Sequence, residues 1–420
     1  MKKNILVFPC GTEIGLEINR ALKYSKDIEL YGASSIDDHG VFEYKNYISG
    51  VPMVDSEDFI SAVEEIVQNY KIDFIFPAHD SAVLSLARNQ SSLSATVITS
   101  PPETVEICRS KKRTYDFLSK TVKTPLIYDI SDKMDFPVFM KPDIGQGSKG
   151  TVLADSFKEA ELALSKDKSL LTLEYLPYKE YTVDCFTNKE GELTFSQARE
   201  RLRIVNGISV NSKPVKNPEF ISIAKKINDK LSFRGVWFFQ LKEDKDHNLT
   251  LLEVAPRVAG TMALCRMQGV NLPLLSIYDR MDLDVAILKN DFEIEIDRAL
   301  ANKYKLNIKY DKVYVDFDDT IILDDKVNPL LMGFLYKCKM QGKQVILITK
   351  HIKNIKESLN HYEIAESLFD EVISMDKIDE KNDIVMENSI FIDDSFSERR
   401  KVLEKLRIPV FDVSEIVELM

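Results

Sequence analysis

The chain has 420 residues, 44% hydrophobic and 29% charged, with a formal net charge of −11. That length exceeds what one core organises and points to about three domains, in a composition typical of a soluble globular protein. No apolar run approaches the ~20 residues that cross a bilayer, and the acidic balance excludes general binding to nucleic acid or anionic membranes, which needs a basic face. The opening MKKNILVFPCGTE resembles a signal peptide only in its two lysines. Its apolar run lasts from Ile5 to Phe8 with no small-residue cleavage site after it, so it reads as a first strand. Five scattered cysteines (Cys10, Cys108, Cys185, Cys265 and Cys338) lack metal-type spacing and read as buried or free thiols of a reducing compartment. A cytoplasmic protein is expected.

Residues 1–108 alternate short apolar runs (NILVFP, IELYGAS, DFIFPAH) with helical patterns at Glu13 to Lys23 and in SEDFISAVEEIVQNY. Runs too uniform for a one-sided strand, separated by helices, predict a parallel α/β sheet covered on both faces. A helical stretch, CRSKKRTYDFLSK, opens a second region over 109–290. There, hairpin-like pairs predict an α+β domain with antiparallel sheets: FPVFMKP with GTVLA, EYTVDCFTN with ELTFSQAR, and GVWFFQL with LTLLEVAP, beside LLTLEYL. Residues 291–307 read as a linker. From 308 to 420 the alternating α/β style returns, with KVYVDFDDT, QVILITK and NSIFIDDS as buried strands. No internal repeat or low-complexity segment is present.

Lys141 ends an apolar run and precedes Gly145, Gly147, Ser148 and Gly150. Glycines let backbone N–H groups approach phosphate oxygens, and a lysine at the strand end supplies a point charge. The same pattern also makes an ordinary flexible turn, and it is not a P-loop, because no helix-opening GK[ST] follows. Gln240 and Glu253 end the runs VWFFQ and LTLLE, symmetric about Asp246–His247. An antiparallel hairpin would set them side by side on one face. An amide and a carboxylate so placed suit a magnesium site completed by phosphate oxygens, or edge residues facing water.

Taken in order, these segments resemble the ATP-grasp superfamily over about residues 1–285, within it the carbamoyl-phosphate-synthase-like and biotin-carboxylase-like ligases. SKKRTYDFL is similar to the segment with the first ATP lysine, which falls on Lys112. VFMKPDIGQGSKG is similar to the second, Lys141, with its phosphate-covering loop at Gly147 and Ser148. LEYLPYKEYTVD resembles the adenine hinge, so Glu174 and Leu176 would meet the base and Glu180 the ribose. RERLRIVNG resembles the basic segment facing the acyl phosphate, with Arg201 and then Arg203 as candidates. EVAPRVAGT is similar to the terminal motif, with Glu253 as metal ligand and Arg257 over the transferred phosphoryl group. Two positions depart from the pattern: Ala255 stands where many members have Asn, implying one metal ligand fewer, and Lys179 where glycine is usual. The resemblance implies ATP and Mg2+ (Mn2+ as an alternative) as cofactors and a small-molecule carboxylate and amine as substrates. A homodimer is a candidate assembly. Gly11-Thr12-Glu13 lies where related enzymes bring part of the acceptor, although a plain strand–helix turn reads the same way.

In the last region three apolar runs stop at oxygen-bearing residues: Asp316-Phe317-Asp318-Asp319-Thr320, Thr349-Lys350 and Asp393-Asp394-Ser395. Strand C-termini of an open parallel sheet line one crevice, and carboxylates converging there imply a cation. These residues resemble the haloacid dehalogenase (HAD) superfamily over about 308–420, implying a Rossmann-like α/β domain. Asp316 would be the nucleophile and Asp318 the general acid/base, with Thr349 as the second motif. Magnesium would be held by Asp316 and Asp393, with Asp318 and Asp394 as further candidate ligands. The third-motif lysine falls on Lys377, with Lys381 as the alternative. Only 28 residues separate Thr320 from Thr349, too few for a substantial cap; the resemblance then implies either large or macromolecular substrates or a partner domain, for which the ligase is a candidate, covering the site. The expected protein is a ligase fused to a phosphatase of the same pathway. Alternatives are a ligase with a structural or regulatory HAD-like domain, and a nucleotide-binding regulator without ligation.

Overall fold

The computed structural model describes residues 2–130, 134–145, 147–376 and 378–419. They divide into two compact units, Met1–Leu300 and Ala301–Met420.

In the first unit, β1 (Lys3–Phe8), β2 (Ile28–Ala33), β3 (Asn46–Ile48), β4 (Phe74–Pro77) and β5 (Thr96–Val97) form a parallel sheet in the order β3-β2-β1-β4-β5. Along β1, Ile5 and Val7 enter one apolar cluster and Leu6 and Phe8 another. The run is apolar throughout because successive side chains point to opposite faces and both are covered, as expected. The helix Glu13–Leu22 after β1 starts at Thr12, whose hydroxyl accepts from the Gly15 N–H and satisfies a free donor of the first turn.

The stretch CRSKKRTYDFLSK is not one helix. It spans the end of the helix Pro102–Arg109 and the helix Lys111–Leu118, divided at an extended Ser110 (φ −103°, ψ 120°). The Ser110 hydroxyl accepts from the Arg113 N–H, so a capping serine restarts the helix in a new direction. Apolar periodicity reads straight through such a break.

Antiparallel sheets follow. β6 (Val138–Pro142), β7 (Val152–Ala154) and β8 (Leu170–Glu174) pair in the order β7-β6-β8. A six-stranded sheet holds β9 (Glu180–Thr187), β10 (Leu193–Val205), β11 (Ile208–Val215), β12 (Gly235–Glu243), β13 (Leu249–Ala255) and β14 (Ile296–Asp297), ordered β13-β12-β9-β10-β11-β14. Along β12, Val236 and Phe238 pack in one cluster while Trp237, Phe239 and Leu241 pack in the other. Gln240 therefore lies on the Val236–Phe238 face, where that face runs out of apolar partners. The edge strand β14 comes from residues expected to be linker. It pairs with β11, and the Arg298 N–H donates to the Val210 carbonyl at 2.8 Å.

The second unit is a five-stranded parallel sheet of β15 (Lys312–Val315), β18 (Gln344–Thr349), β19 (Glu371–Ser374), β20 (Ser389–Ile392) and β21 (Val410–Phe411), ordered β19-β18-β15-β20-β21. Its three central strands are the three predicted from apolar runs. Val313, Val315, Ile390 and Ile392 pack on one face, and Tyr314 and Phe391 on the other. Between Thr320 and Thr349 lie a hairpin, β16 (Ile322–Leu323) with β17 (Lys326–Val327), and the helix Pro329–Met340. Among the described residues, no helix is long and apolar enough to cross a membrane. All five cysteines are free and buried.

Candidate active site

A cleft of about 180 Å³ opens in the first unit where the two antiparallel sheets meet the glycine loop. Part of its wall is apolar, from Pro125, Phe139, Leu173 and Leu176. The rest is charged, with Lys111, Lys141, Lys149, Arg201 and Lys242 facing Glu174, Glu180 and Glu253. Five cations against three carboxylates leave a surplus that suits a polyanion beside a flat apolar group.

Lys141 is buried at the end of β6. Its Nζ lies 3.5 Å from the Leu252 carbonyl and 5.7 Å from the centre of the Tyr115 ring. Burial pushes its pKa down to about 8, nearby Lys111 adds to the fall, and Glu253 and Glu180 oppose it. Lys112 does not share this space. It is exposed, and its backbone N–H donates to Asp143. Lys111 lines the cleft instead, with Nζ 3.2 Å from the Asp143 carbonyl and 3.4 Å from that of Gly145. The correction follows from the break at Ser110, which makes Lys111 the first residue of the new helix and turns Lys112 to solvent.

The register pairs Gln240 with Glu253 across β12 and β13. Arg201 Nη1 donates to Gln240 Oε1 at 3.2 Å and to Glu180, and its Nη2 donates to the Gly207 carbonyl at 2.7 Å. Gly207 closes the β10–β11 turn with φ 76°, and a Cβ there would stand 2.5 Å from Ser148 Oγ. Only glycine lets the hairpin tip meet the phosphate-type loop this closely. Gly147 and Ser148 both line the cleft with positive φ. The Glu174 carboxylate turns to the Leu126 N–H at 3.3 Å, and Leu176 is buried in the wall. Ala255 is buried in an apolar cluster and offers no ligand.

Two arginines stand apart from this cleft. Arg203 pairs with Asp297 on the exposed edge, because β10 carries it beyond the cleft mouth. Arg257 lines an adjoining chamber, where its guanidinium forms two bonds to Asp80, one of 3.0 Å from Nη2, and stacks 5.0 Å from the Phe238 ring centre. Asp80 was not singled out in the sequence. Its signal was a carboxylate right after the apolar run of β4, at the C-terminal edge of a parallel sheet.

In the second unit, Asp316 follows β15 and Asp393 and Asp394 follow β20. One carboxylate oxygen from each lies within 4.8 Å of the others. Lys377 lies outside the described residues. Lys381 occupies the space between the acids, its Nζ 2.6 Å from Asp316 Oδ1 and 2.7 Å from Asp393 Oδ2. Burial raises the pKa of Asp316 to about 6, with Lys381 opposing and Asp393 reinforcing the shift. Thr349 is buried, and its hydroxyl accepts from the His351 N–H at 3.1 Å. Asp318 is not in the carboxylate group. It is exposed and hydrogen-bonded to His351 Nδ1 at 2.8 Å, while His351 Nε2 meets Ser358 Oγ at 2.8 Å. The hydrophobic Phe317 between Asp316 and Asp318 enters the core and separates the two carboxylates. Three oxygen donors around a single lysine fit a hard divalent cation.

Residues 166–304 match a family model described as "ATP-grasp in the biosynthetic pathway with Ter operon". No curated protein sequence matches the chain. Among solved structures, the biotin carboxylase domain of Hydrogenobacter thermophilus 2-oxoglutarate carboxylase, crystallised with MgADP, ADP and bicarbonate, is 17% identical with a TM-score of 0.56, covering 69% of this chain and 72% of that one. The L-amino acid ligase from Bacillus licheniformis is 17% identical at a TM-score of 0.54, covering 66% and 73%. N5-carboxyaminoimidazole synthetase from Staphylococcus aureus complexed with ADP is 15% identical at 0.55, covering 69% and 80%. Likeness at such identities is one of fold, and the family-model match adds a similarity to ATP-grasp proteins over residues 166–304.

Proposed function

We propose that the first unit is an ATP-dependent ligase that activates a carboxylate as an acyl phosphate and passes it to an amine, releasing ADP and phosphate. The observation that carries this reading is the facing pair Gln240 and Glu253 in a cleft whose remaining charges are mostly cationic. In this reading the adenine lies on the wall of Phe139, Leu173 and Leu176, beside the backbone of Glu174. Lys111, Lys141 and the loop at Gly147 and Ser148 hold the triphosphate. Gln240 and Glu253 would hold Mg2+, which neutralises phosphate charge when bound. Phosphoryl transfer asks chiefly for positioning and charge stabilisation. Arg201 and Arg257, each fixed by a carboxylate (Glu180 and Asp80), supply that without rearrangement during the reaction. That an L-amino acid ligase and an N5-carboxyaminoimidazole synthetase share the fold supports the reaction class. A screen of carboxylic acids against amines for ADP release tests it. ADP formed only with both partners is the expected result, and none with any acid would refute it.

For the second unit we infer an aspartate-nucleophile phosphatase of the HAD type, supported by Asp316, Asp393 and Lys381 in direct contact. Asp316 would attack phosphorus while Asp318 protonates the leaving group; Asp318 would then take a proton from the water that hydrolyses the aspartyl phosphate, releasing phosphate and freeing Asp316, and Asp316, Asp393 and Asp394 would hold Mg2+. Release of phosphate from an aryl phosphate by the wild type, lost in Asp316→Asn with ADP release intact, is expected. The five buried thiols suit a cytoplasmic setting for both activities.

A further inference from the structure

The cleft shares Lys111, Gly145 and Glu253 with a second, much smaller chamber beside it. Building on the ligase reading above, we propose that this chamber holds the acid to be activated, and that the acid carries a second anionic group, a carboxylate or a phosphomonoester, bound by Arg109.

The argument is one of uncompensated charge. Arg109, Lys111 and Arg257 line the chamber with only Asp80 and Glu253 as carboxylates. Asp80 is spent on Arg257, to which it is bonded through two guanidinium nitrogens. Glu253 faces Gln240 across the strand pair and is the carboxylate of the proposed cation site. Lys111 donates to the carbonyls of Asp143 and Gly145, and its charge is offset by the nearby carboxylates of Glu253, Asp143 and Asp80. Arg109 is left with a single 3.5 Å contact to Ser81 Oγ from a guanidinium that offers five donors. It is half-buried and, among the described residues, forms no ion pair with a carboxylate, so its planar fork of donors is open to an anion.

Its placement also follows from the backbone. Arg109 is the last residue of the helix Pro102–Arg109, a favourable end for a cation, and the extended Ser110 after it puts Arg109 and Lys111 into the same chamber. His79 on the neighbouring strand end is held below its usual pKa by burial, with Arg257, Arg109 and Lys149 disfavouring a further positive charge there and Asp80 opposing them. The surplus therefore stays on Arg109. A monocarboxylate would present its one anionic group to the phosphoryl-transfer end and leave Arg109 unmet. A dianion satisfies both, and the planar guanidinium fits either carboxylate or phosphate oxygens in a forked geometry. The remaining walls, Val83, Val105 and Val254, admit a short apolar body.

The test uses the full chain with magnesium and a saturating non-hydrolysable ATP analogue. At constant ionic strength it is titrated with succinate, phosphoglycolate or butyrate while the melting temperature is followed. At least one dianion is expected to stabilise at lower concentration than butyrate, and the more effective of the two identifies the second group. Arg109→Gln should raise the dianion concentration needed by about tenfold with the nucleotide shift unchanged, and Arg109→Lys should recover part of the loss. Equal effects of dianions and butyrate on the wild type would overturn the proposal. So would a loss in Arg109→Gln that falls equally on the nucleotide, since Arg109 would then serve ATP. A wild type with no nucleotide shift at all overturns the ligase reading itself, whereas a nucleotide shift without dianion preference overturns only the assignment of Arg109.

Discussion

Gln240 and Glu253 face one another because the ladder between their strands is interrupted. Glu243 pairs with Leu249 and Leu241 with Leu251, but the next pair is Gln240 with Glu253, leaving Leu252 as the extra residue of a bulge. The bulge changes which face each residue serves. Leu249, Leu251 and Val254 all enter one core cluster, whereas an unbroken alternation would have sent Glu253 there with Leu251. Re-aimed, Glu253 meets the cleft, and the freed Leu252 carbonyl accepts from Tyr115 at 2.7 Å and lies 3.5 Å from Lys141 Nζ.

Glu253→Gln keeps the shape of that position and removes its charge. ADP formation at low millimolar magnesium is expected to fall on the order of 100-fold, recovering in part as magnesium is raised, with the melting temperature nearly unchanged. Loss that magnesium cannot relieve would assign Glu253 another role.

The pKa of Lys141 is pushed down to about 8 from the usual lysine value of 10.5, mainly by burial. The sign is that of a depressed base: the folded protein is penalised for keeping Lys141 charged at all pH below about 8, and that penalty fades as pH rises from there towards the unfolded value. The cost is about 3 kcal/mol at neutral pH. Lys141→Met should therefore melt no lower than the wild type at pH 7 without nucleotide, while losing nucleotide binding. Triphosphate binding should raise the Lys141 pKa again, so calorimetric titration of the wild type in buffers of different ionisation enthalpy should report proton uptake near pH 8.5 and little near pH 6.5, where Lys141 is already charged.

Lys381 lies between two buried carboxylates, Asp316 and Asp393. Lys381→Met leaves them facing each other without a cation, a change that costs about 3–5 kcal/mol when a buried pair loses one partner. The calorimetric transition of the second unit should drop in EDTA and recover in millimolar Mg2+, which binds the folded state by mass action. A variant as stable as the wild type in EDTA would count against three converging acids as a cation site.

The fold was legible where one rule acted alone. Uniform apolar runs such as Ile5 to Phe8 and Val313 to Val315 become parallel strands because both faces are buried, and the hairpin partners of β9 with β10 and β12 with β13 follow from their turns. Legibility failed where a local polar group overrode periodicity. The hydroxyl of Ser110 split a helix and moved the cleft lysine from 112 to 111. The Gln240–Glu253 pairing was reached through an assumed unbroken ladder centred on Asp246–His247, whereas the ladder is centred on Asp246 and corrected by the bulge. Strand β14 and its Arg298 were read as linker because a two-residue edge strand has no pattern of its own. Asp80 and His351 depend on contacts between distant segments, which spacing alone does not contain, whereas Lys381 is the alternative that the sequence offers beside Lys377.

Asp318 is set to test whether the second unit performs phosphatase chemistry. It stands outside the buried carboxylates, exposed, hydrogen-bonded to a His351 that Ser358 orients. A general acid matters most when the leaving group is poor, since an aryl oxide with a pKa near neutrality departs without protonation. In the first turnover, before the aspartyl phosphate is hydrolysed, Asp318→Asn should therefore spare release of the aryl alcohol within a few-fold and slow release of an alkyl alcohol on the order of 100-fold, whereas Asp316→Asn should abolish both. His351→Asn should resemble Asp318→Asn in direction at smaller size, because it removes the contact that orients the carboxyl and leaves the carboxyl in place. Equal loss on aryl and alkyl esters in that first turnover would show that Asp318 does not act on the leaving group, and would leave the His351 contact as a structural one.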